Sequence, residues 1–157
     1  MNGGLESLYQ QIILDHARRR VGQGIDGHSA TDADDGGDVA TAQSHQLNPV
    51  CGDEVTLRVW ISDSRLQSVA WDGAGCAISM ASASVLTELV TGRTRDEVMD
   101  QLDRFRELMR SRGAAPVDDE LLGDATAFAG VSRFPARVKC AMLAWVALEE
   151  AVLAANR

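Results

Sequence analysis

The chain has 157 residues, of which 45% are hydrophobic, which suits one globular domain with a sizeable core. Its formal net charge of −8 opposes attraction to nucleic-acid phosphates, so we expect no nucleic-acid partner. No stretch approaches the roughly 20 apolar residues of a transmembrane helix, and an odd cysteine count after an acidic, non-apolar start indicates a reducing cytoplasm rather than a membrane or a secreted disulfide framework.

The first part of the chain predicts one helix followed by a polar loop. Apolar residues recur at helical spacing from Leu5 to Ile13, and they predict a helix over residues 4–20. Residues 22–38 contain five glycines and five aspartates. We expect this segment to form a mobile loop, because it carries too little apolar surface to pack.

Three strands are predicted next, over residues 39–46, 54–62 and 65–72. Apolar and polar residues alternate in the second of them, as expected for a strand that buries one face. Asp63 and Ser64 form the turn of a hairpin between the last two strands.

Two helices are predicted after the strands. The first covers residues 77–90 and ends before Gly92. Thr94 begins the string T-R-D-E, which is a capping-box pattern and predicts a second helix that runs to about Arg110.

The end of the chain predicts further helical structure. Residues 113–116 break the preceding helix, a short helical piece follows near 118–128, and a long helix covers about 134–155. Strands followed by helices indicate an α+β fold, in which a small three-stranded antiparallel sheet packs with helices. We expect residues 1–157 to form a single domain.

All three cysteines lie in contexts suited to metal or sulfur chemistry. Cys51 and Asp53 are two residues apart before a strand, so in an extended segment both side chains project to one side. Cys76 precedes a helix, where unpaired amides and the positive helix end stabilise a thiolate. Cys140 lies in the last helix with Arg137 one turn before it, which brings a cation near the third sulfur.

Three thiolates and one carboxylate make a tetrahedral ligand set for zinc, with bonds of about 2.3 Å to sulfur and about 2.0–2.2 Å to oxygen. Iron–sulfur ligation is an alternative chemistry for the same residues. The ligands are scattered rather than paired in C-x-x-C knuckles, so the cysteines could also be small core residues. The predicted metal ligands are Cys51, Asp53, Cys76 and Cys140.

Other polar residues are given structural interpretations. His16 is expected to be a surface or packing residue of the first helix, and no histidine is expected to bind the metal. The serines that follow Cys76 in a helix of small residues are expected to allow close packing against the sheet; they are Ser79, Ser82 and Ser84.

Four strings occur in one order along the chain: L-Y-Q-Q-I-I-L-D-H-A (8–17), N-P-V-C-G-D (48–53), G-A-G-C-A-I-S-M-A-S-A-S (73–84) and G-V-S-R-F-P-A-R-V-K-C-A-M-L-A-W (130–145). With these strings the chain resembles SufU-type members of the IscU/NifU-like family of iron–sulfur cluster assembly proteins over nearly its whole length. The resemblance implies an IscU/SufE-like fold, with zinc or an assembling cluster bound by the four predicted ligands.

Two departures distinguish the branches of this family. Scaffold-type IscU proteins place a histidine immediately before the third cysteine, whereas this chain has Lys139. SufU-type proteins carry an extra segment between the second and third cysteines, and residues 93–116 resemble that helical insertion. Both features favour the SufU type. Arg20 and Val21 stand where a proline-containing turn is common in the family, which concerns the loop and not the ligands.

The resemblance implies a zinc-dependent sulfurtransferase. A SufS-type cysteine desulfurase would make a persulfide, and Cys51 would accept its sulfur after a partner side chain replaces that thiolate on zinc. Arg137 would stabilise the freed thiolate or anchor the partner, and the sulfur would pass to a downstream cluster-assembly scaffold. The alternative is an IscU-like scaffold that assembles a [2Fe–2S] cluster on the same ligands. A purely structural zinc is disfavoured because a domain of this size does not need one.

Overall fold

The structure is a computed structural model that describes residues 2–27, 39–50, 52–113 and 119–155. For residues 2–6, 27 and 119 it describes the backbone alone. The order of elements is a helix, three strands and a set of helices that follow the sheet. No helix within the described ranges is long and apolar enough to cross a membrane.

Helix α1 (Asn2–Arg19) is followed by a segment that packs against the sheet. Gly24 N–H donates to the carbonyl of Trp71 at 2.8 Å, and Trp71 N–H donates to the carbonyl of Gly22 at 2.9 Å. Ile25 opens a short 3-10 turn and is 5% exposed. The expectation that this segment cannot pack is therefore wrong for residues 22–27; residues 28–38 of the expected loop lie outside the described residues.

The sheet consists of β1 (Ala40–Leu47), β2 (Glu54–Ser62) and β3 (Arg65–Ala74), in that spatial order. Both pairings are antiparallel, as predicted. Asp63 and Ser64 have φ angles of 55° and 60°, which are typical of the tight turn that joins twisted hairpin strands.

Different parts of the chain pack on the two faces of the sheet. Val55, Leu57 and Val59 are fully buried in the main core, where α5 (Pro135–Ala154) packs on β1 and β2. On the opposite face Trp60 belongs to a smaller buried cluster with Ile25 and Ala70. Because both faces are covered at this end, the alternation of burial in β2 gives way to continuous burial from residue 59 onward.

Helix α2 (Ala77–Val90) packs chiefly against α1 and α5 (Pro135–Ala154) rather than against the sheet. The expected packing of the serines of α2 against the sheet is therefore wrong, because α5 lies on the sheet and α2 lies on α5. The bounds of both helices agree with the prediction to within one residue.

Helix α3 (Arg95–Arg110) contributes buried apolar side chains, including Phe105, to the main core. Phe105 stacks on Trp145 of α5 with ring centroids 4.3 Å apart. The chain continues through α4 (Asp119–Leu122) and a 3-10 helix (Gly123–Arg133), whose Phe128 meets Phe105 edge to face at 5.9 Å. These aromatic contacts add about 0.5–1.5 kcal/mol each to the burial of the rings.

The capping box predicted at the start of α3 is present. Thr94 accepts a hydrogen bond from Glu97 N–H at 3.2 Å, and Thr94 N–H donates to the Glu97 carboxylate at 2.9 Å. The bond from the Thr94 backbone, with the Thr94 hydroxyl, holds the pKa of Glu97 below its ordinary value. The two residues thus satisfy amides that the helix itself leaves unpaired.

We predict that Thr94→Ala lowers the free energy of unfolding by about 1 kcal/mol, because the Glu97 amide loses its acceptor. Urea denaturation monitored by circular dichroism measures the change. Thr94→Ser keeps the acceptor oxygen and is the matched control. Equal midpoints for the wild type and Thr94→Ala would contradict the assigned role of the cap.

Candidate metal centre

Three of the four predicted ligands meet where β2, α2 and α5 converge. Asp53 directly precedes β2, Cys76 is the N-cap of α2, and Cys140 lies in the second turn of α5. The antiparallel register pairs Glu54 with Ala74, which brings the start of β2 beside the residues that lead into α2. One oxygen and two sulfurs of these three side chains lie within 4.8 Å of one another.

The Asp53 carboxylate is buried and firmly hydrogen-bonded. Its Oδ2 accepts the Ser79 hydroxyl at 2.6 Å and the Cys76 backbone N–H at 3.3 Å. Burial acts to raise the pKa of Asp53, but hydrogen bonds from Ser79, Cys76 and Cys140 outweigh it and hold that pKa below its ordinary value. The carboxylate is therefore ionised at neutral pH and can serve as an anionic ligand.

Gly75 allows the carboxylate to approach the backbone this closely. A Cβ atom at this position would lie 2.6 Å from Asp53 Cγ, closer than real Cβ contacts come. Any larger residue would therefore displace the carboxylate or the start of α2. The small residue before Cys76 is a requirement of the site rather than of the helix.

The two described sulfurs differ in exposure. Cys76 is exposed and is the N-cap residue of α2, and its side chain makes no capping hydrogen bond. Cys140 is 7% exposed, and its Sγ lies 3.7 Å from the carbonyl of Ala136, one turn earlier in α5. One sulfur thus faces solvent while the other is enclosed.

Cys51 lies outside the described residues, so only its neighbours are described. Asn48 N–H donates to the carbonyl of Asp53 at 2.8 Å, and Gly52 N–H donates to the carbonyl of Asn48 at 2.8 Å. Gly52 has a φ angle of +79°, a conformation that favours glycine. Val50 is 85% exposed. These contacts close the connection between β1 and β2.

The three described donors fit a zinc ion. Thiolates and a carboxylate are ligands that zinc accepts, and a tetrahedral ion with bonds of about 2.3 Å to sulfur holds two sulfurs about 3.8 Å apart. The observed separations, all within 4.8 Å, need only small side-chain movements to reach that geometry.

Ser79 is a site residue that the sequence reasoning missed. Its side chain is fully buried, donates to Asp53 and also lies 3.4 Å from the Cys140 carbonyl. Ser82 and Ser84 are buried as well, and Ser82 donates to the carbonyl of Ala141 at 2.6 Å. A buried hydroxyl needs a partner, so three serines among the small apolar residues at the start of α2 were the available signal.

A second cluster of potential metal ligands is already bonded to an arginine side chain. His16 is fully buried, with Nδ1 2.8 Å from Ser84 Oγ and Nε2 3.0 Å from an Asp124 carboxylate oxygen. Glu88 is the third member, but Arg19 reaches both Glu88 and His16 at 3.2 Å. The guanidinium already pairs with the Glu88 carboxylate, and His16 already contacts Asp124. His16 is thus a packing residue that joins α1 to α2 and the 3-10 helix.

The positions of the other residues considered in the sequence differ. Arg137 is exposed in the first turn of α5, and Lys139 is exposed directly before Cys140. His45 is exposed on β1 and lies 3.3 Å from a Glu54 carboxylate oxygen, whereas His28 lies outside the described residues.

We predict that Ser79→Ala weakens zinc affinity by about tenfold to a hundredfold, because the residue that orients the Asp53 carboxylate is lost. Competition with a chromogenic chelator measures this affinity. Ser82→Ala is the matched control, since Ser82 is equally buried in the same helix but bonds Ala141 and Trp145. We expect it to lower the free energy of unfolding without changing zinc affinity. Equal affinity losses in both variants would contradict a specific role for Ser79.

Curated relatives cover almost the whole chain. The zinc-dependent sulfurtransferase SufU of Bacillus subtilis is 35% identical over 152 residues, which span 96% of this chain and 93% of the relative. The iron–sulfur cluster assembly scaffold protein IscU of Streptococcus pyogenes is 36% identical over 149 residues, which span 94% of this chain and 84% of the relative.

Solved structures share the fold. A putative iron–sulfur cluster assembly scaffold protein for the SUF system from Fervidobacterium islandicum superposes with a TM-score of 0.71 at 30% identity, covering 89% of this chain and 93% of that one. A NifU-like protein from Brucella abortus superposes with a TM-score of 0.69 at 25% identity, covering 95% and 94%. The family model described as the NifU-like N-terminal domain matches residues 8–141. The chain therefore belongs to the IscU/NifU-like family, as a SufU-type member.

Proposed function

We propose that this protein is a zinc-dependent sulfur acceptor in iron–sulfur cluster assembly, which takes persulfide sulfur from a SufS-type cysteine desulfurase onto Cys51. The observation that carries the proposal is the convergence of Asp53, Cys76 and Cys140 within 4.8 Å, and Cys51 precedes Asp53 by two residues in the sequence. The SufU relative, which is named as a zinc-dependent sulfurtransferase and spans nearly the whole chain, supports the same function.

Asp53, Cys76, Cys140 and Cys51 would hold the zinc. Bound zinc keeps coordinating thiols deprotonated at neutral pH and reduces their nucleophilicity. The chain itself fixes three of these ligands. Ser79 orients the carboxylate, the first turn of α2 holds Cys76, and the packing of α5 encloses Cys140. The fourth thiolate is the one assigned to sulfur transfer.

The transfer is a nucleophilic displacement at sulfur. The Cys51 thiolate attacks the terminal sulfur of the persulfide on the desulfurase, a new S–S bond forms to Cys51, and the S–S bond of the donor breaks. The electron pair of the broken bond leaves on the donor cysteine as a thiolate. No external oxidant or reductant is consumed, because the sulfane sulfur is exchanged between two thiols.

Arg137 is assigned a supporting role. Its exposed side chain lies in the first turn of α5, one helical turn before Cys140. A guanidinium there stabilises an anionic sulfur or pairs with a carboxylate of the partner. Either contact would act when the persulfide approaches.

An IscU-like scaffold is the second candidate function. The Streptococcus pyogenes relative is named as a scaffold and is as similar to this chain as the SufU relative. A scaffold would assemble a [2Fe–2S] cluster on the same ligands. Scaffold-type members carry a histidine directly before the third cysteine, whereas this chain has the exposed Lys139 there. This difference favours sulfur transfer, because a lysine ammonium cannot serve as a metal ligand in the way that an imidazole can. Metal analysis of protein purified without added iron separates the two: zinc supports the acceptor, and cluster absorbance supports the scaffold.

We predict that Cys51→Ser abolishes persulfide formation on this protein, because serine lacks the accepting sulfur. Mass spectrometry after incubation with desulfurase and cysteine would detect the added 32 Da (about one sulfur) in the wild type but not in the variant. Cys76→Ser is the comparison, since Cys76 is the exposed sulfur among the described ligands. We expect Cys76→Ser to lose zinc affinity more strongly than Cys51→Ser.

A Cys51→Ser protein that retained zinc and accepted sulfur at the wild-type rate would overturn the acceptor assignment. A persulfide found on Cys76 of the wild type would move the role to that residue. A zinc-containing wild-type protein that never accepts sulfur would contradict the proposed function as a whole.

A further inference from the structure

We propose that a groove beside the metal centre is the docking site for an apolar, acidic segment of the sulfur-donor protein. The inference rests on the proposed function, because the occupant is taken from the protein that delivers the persulfide. The groove runs between α1, the start of α2, the end of the 3-10 helix and the start of α5. Its volume is about 730 Å³.

The floor of the groove is apolar. Apolar side chains from several elements line it: Ile13 and Leu14 of α1, Ile78 of α2, and Val131 and Phe134 before α5. Leu14 is 54% exposed and Phe134 is 56% exposed. Two large apolar side chains exposed in one groove are more informative than isolated exposed residues, since such patches mark interaction sites.

The charged residues of the groove have one sign. Arg133 and Arg137 line it, and an adjoining hollow that shares Leu14 adds Arg18 and Arg20. Within the described part of the chain, neither hollow is lined by an aspartate or glutamate. This contrasts with the whole chain, which has 23 acidic against 15 basic residues. A local basic rim on an acidic protein selects an acidic partner and steers its approach.

Two of the arginines are available for such pairing. Among the described residues, neither Arg133 nor Arg137 has an ion-pair partner, whereas Arg19 and Arg106 elsewhere on the surface each contact carboxylates. An arginine guanidinium can donate two parallel hydrogen bonds to one carboxylate. The groove therefore offers an apolar floor for one part of a segment and guanidinium groups for its acidic residues.

Residues close in sequence to two of the candidate ligands line the groove. Ala77 and Ile78 line it directly after Cys76, and Arg137 lines it one turn before Cys140. A segment bound there would hold the donor protein beside the ligand cluster. A second copy of this chain is a less suitable occupant, because a twofold contact through the same surface would face one basic rim with another.

The test measures binding and sulfur transfer separately with a purified SufS-type cysteine desulfurase. Arg133→Glu and Leu14→Glu change the rim and the floor without touching a proposed ligand. Arg65→Glu, at the far end of β3, and Leu153→Glu, which is 56% exposed on α5, are the matched controls. Thermal melts and zinc content verify that all four variants are folded and loaded.

We expect both groove variants to raise the Kd for the desulfurase about tenfold or more, while the controls stay within about twofold of the wild type. The rate of persulfide formation at saturating desulfurase should remain within about twofold, because the ligands are unchanged. Added NaCl should weaken wild-type binding and should weaken binding of Arg133→Glu less.

Groove variants that bind as tightly as the wild type and still accept sulfur would overturn the docking site and leave the proposed function standing. A wild-type protein that neither binds the desulfurase nor accepts sulfur would overturn both. Sedimentation of the protein alone provides the third readout. Self-association that is abolished by Leu14→Glu would assign the groove to a second copy and overturn the proposal.

Discussion

The site depends on one buried carboxylate. Asp53 is 5% exposed at the point where the sheet meets α2 and α5, and a buried charge without partners costs several kcal/mol. The Ser79 hydroxyl and the Cys76 amide offset that cost, since hydrogen bonds to a charged group contribute about 1.5–3 kcal/mol each. The same two hydrogen bonds join the start of β2 to the start of α2. The contacts that position the candidate ligands are therefore also contacts of the tertiary structure.

Buried serine hydroxyls bond helix α2 to several neighbours along its length. Ser79 faces the carboxylate, Ser82 bonds the backbone of α5 and accepts from Trp145 at 3.0 Å, and Ser84 contacts His16 and accepts from Val21 N–H. Each hydroxyl replaces apolar packing with a directional contact to a different neighbour. A helix bonded in this way has little freedom to slide between α1 and α5, and Cys76 at its amino end is held accordingly.

Local patterns predicted most of the fold. The strands, α2 and the capping box of α3 followed from alternation, from Gly92 and from the T-R-D-E string, because each of these signals acts within a few residues. The placement of α2 on α5 and the burial of residues 22–27 did not follow. Both depend on partners far along the chain, such as Trp71 for Gly24, and no local pattern encodes them.

The candidate site shows the same division. The motif contexts identified Asp53, Cys76 and Cys140, and the structure brings them together. The partner of the carboxylate was missed, because Ser79 was considered for its size and its distance of 26 residues from Asp53 gives no periodic signal. A buried serine in an apolar helix should instead prompt a search for the charge that it stabilises.

The described candidate ligands also bear on which cysteine we propose as the sulfur acceptor. Exposure alone does not identify the acceptor, since Cys76 is exposed. However, Cys76 provides the amide that holds Asp53, and its carbonyl accepts the Met80 amide in the first turn of α2. Moving Cys76 toward a donor would therefore disturb the carboxylate and the helix together. Cys140 is enclosed within α5. The cost of displacing these two cysteines is the physical reason for proposing Cys51, which falls between β1 and β2 in the sequence, as the sulfur acceptor.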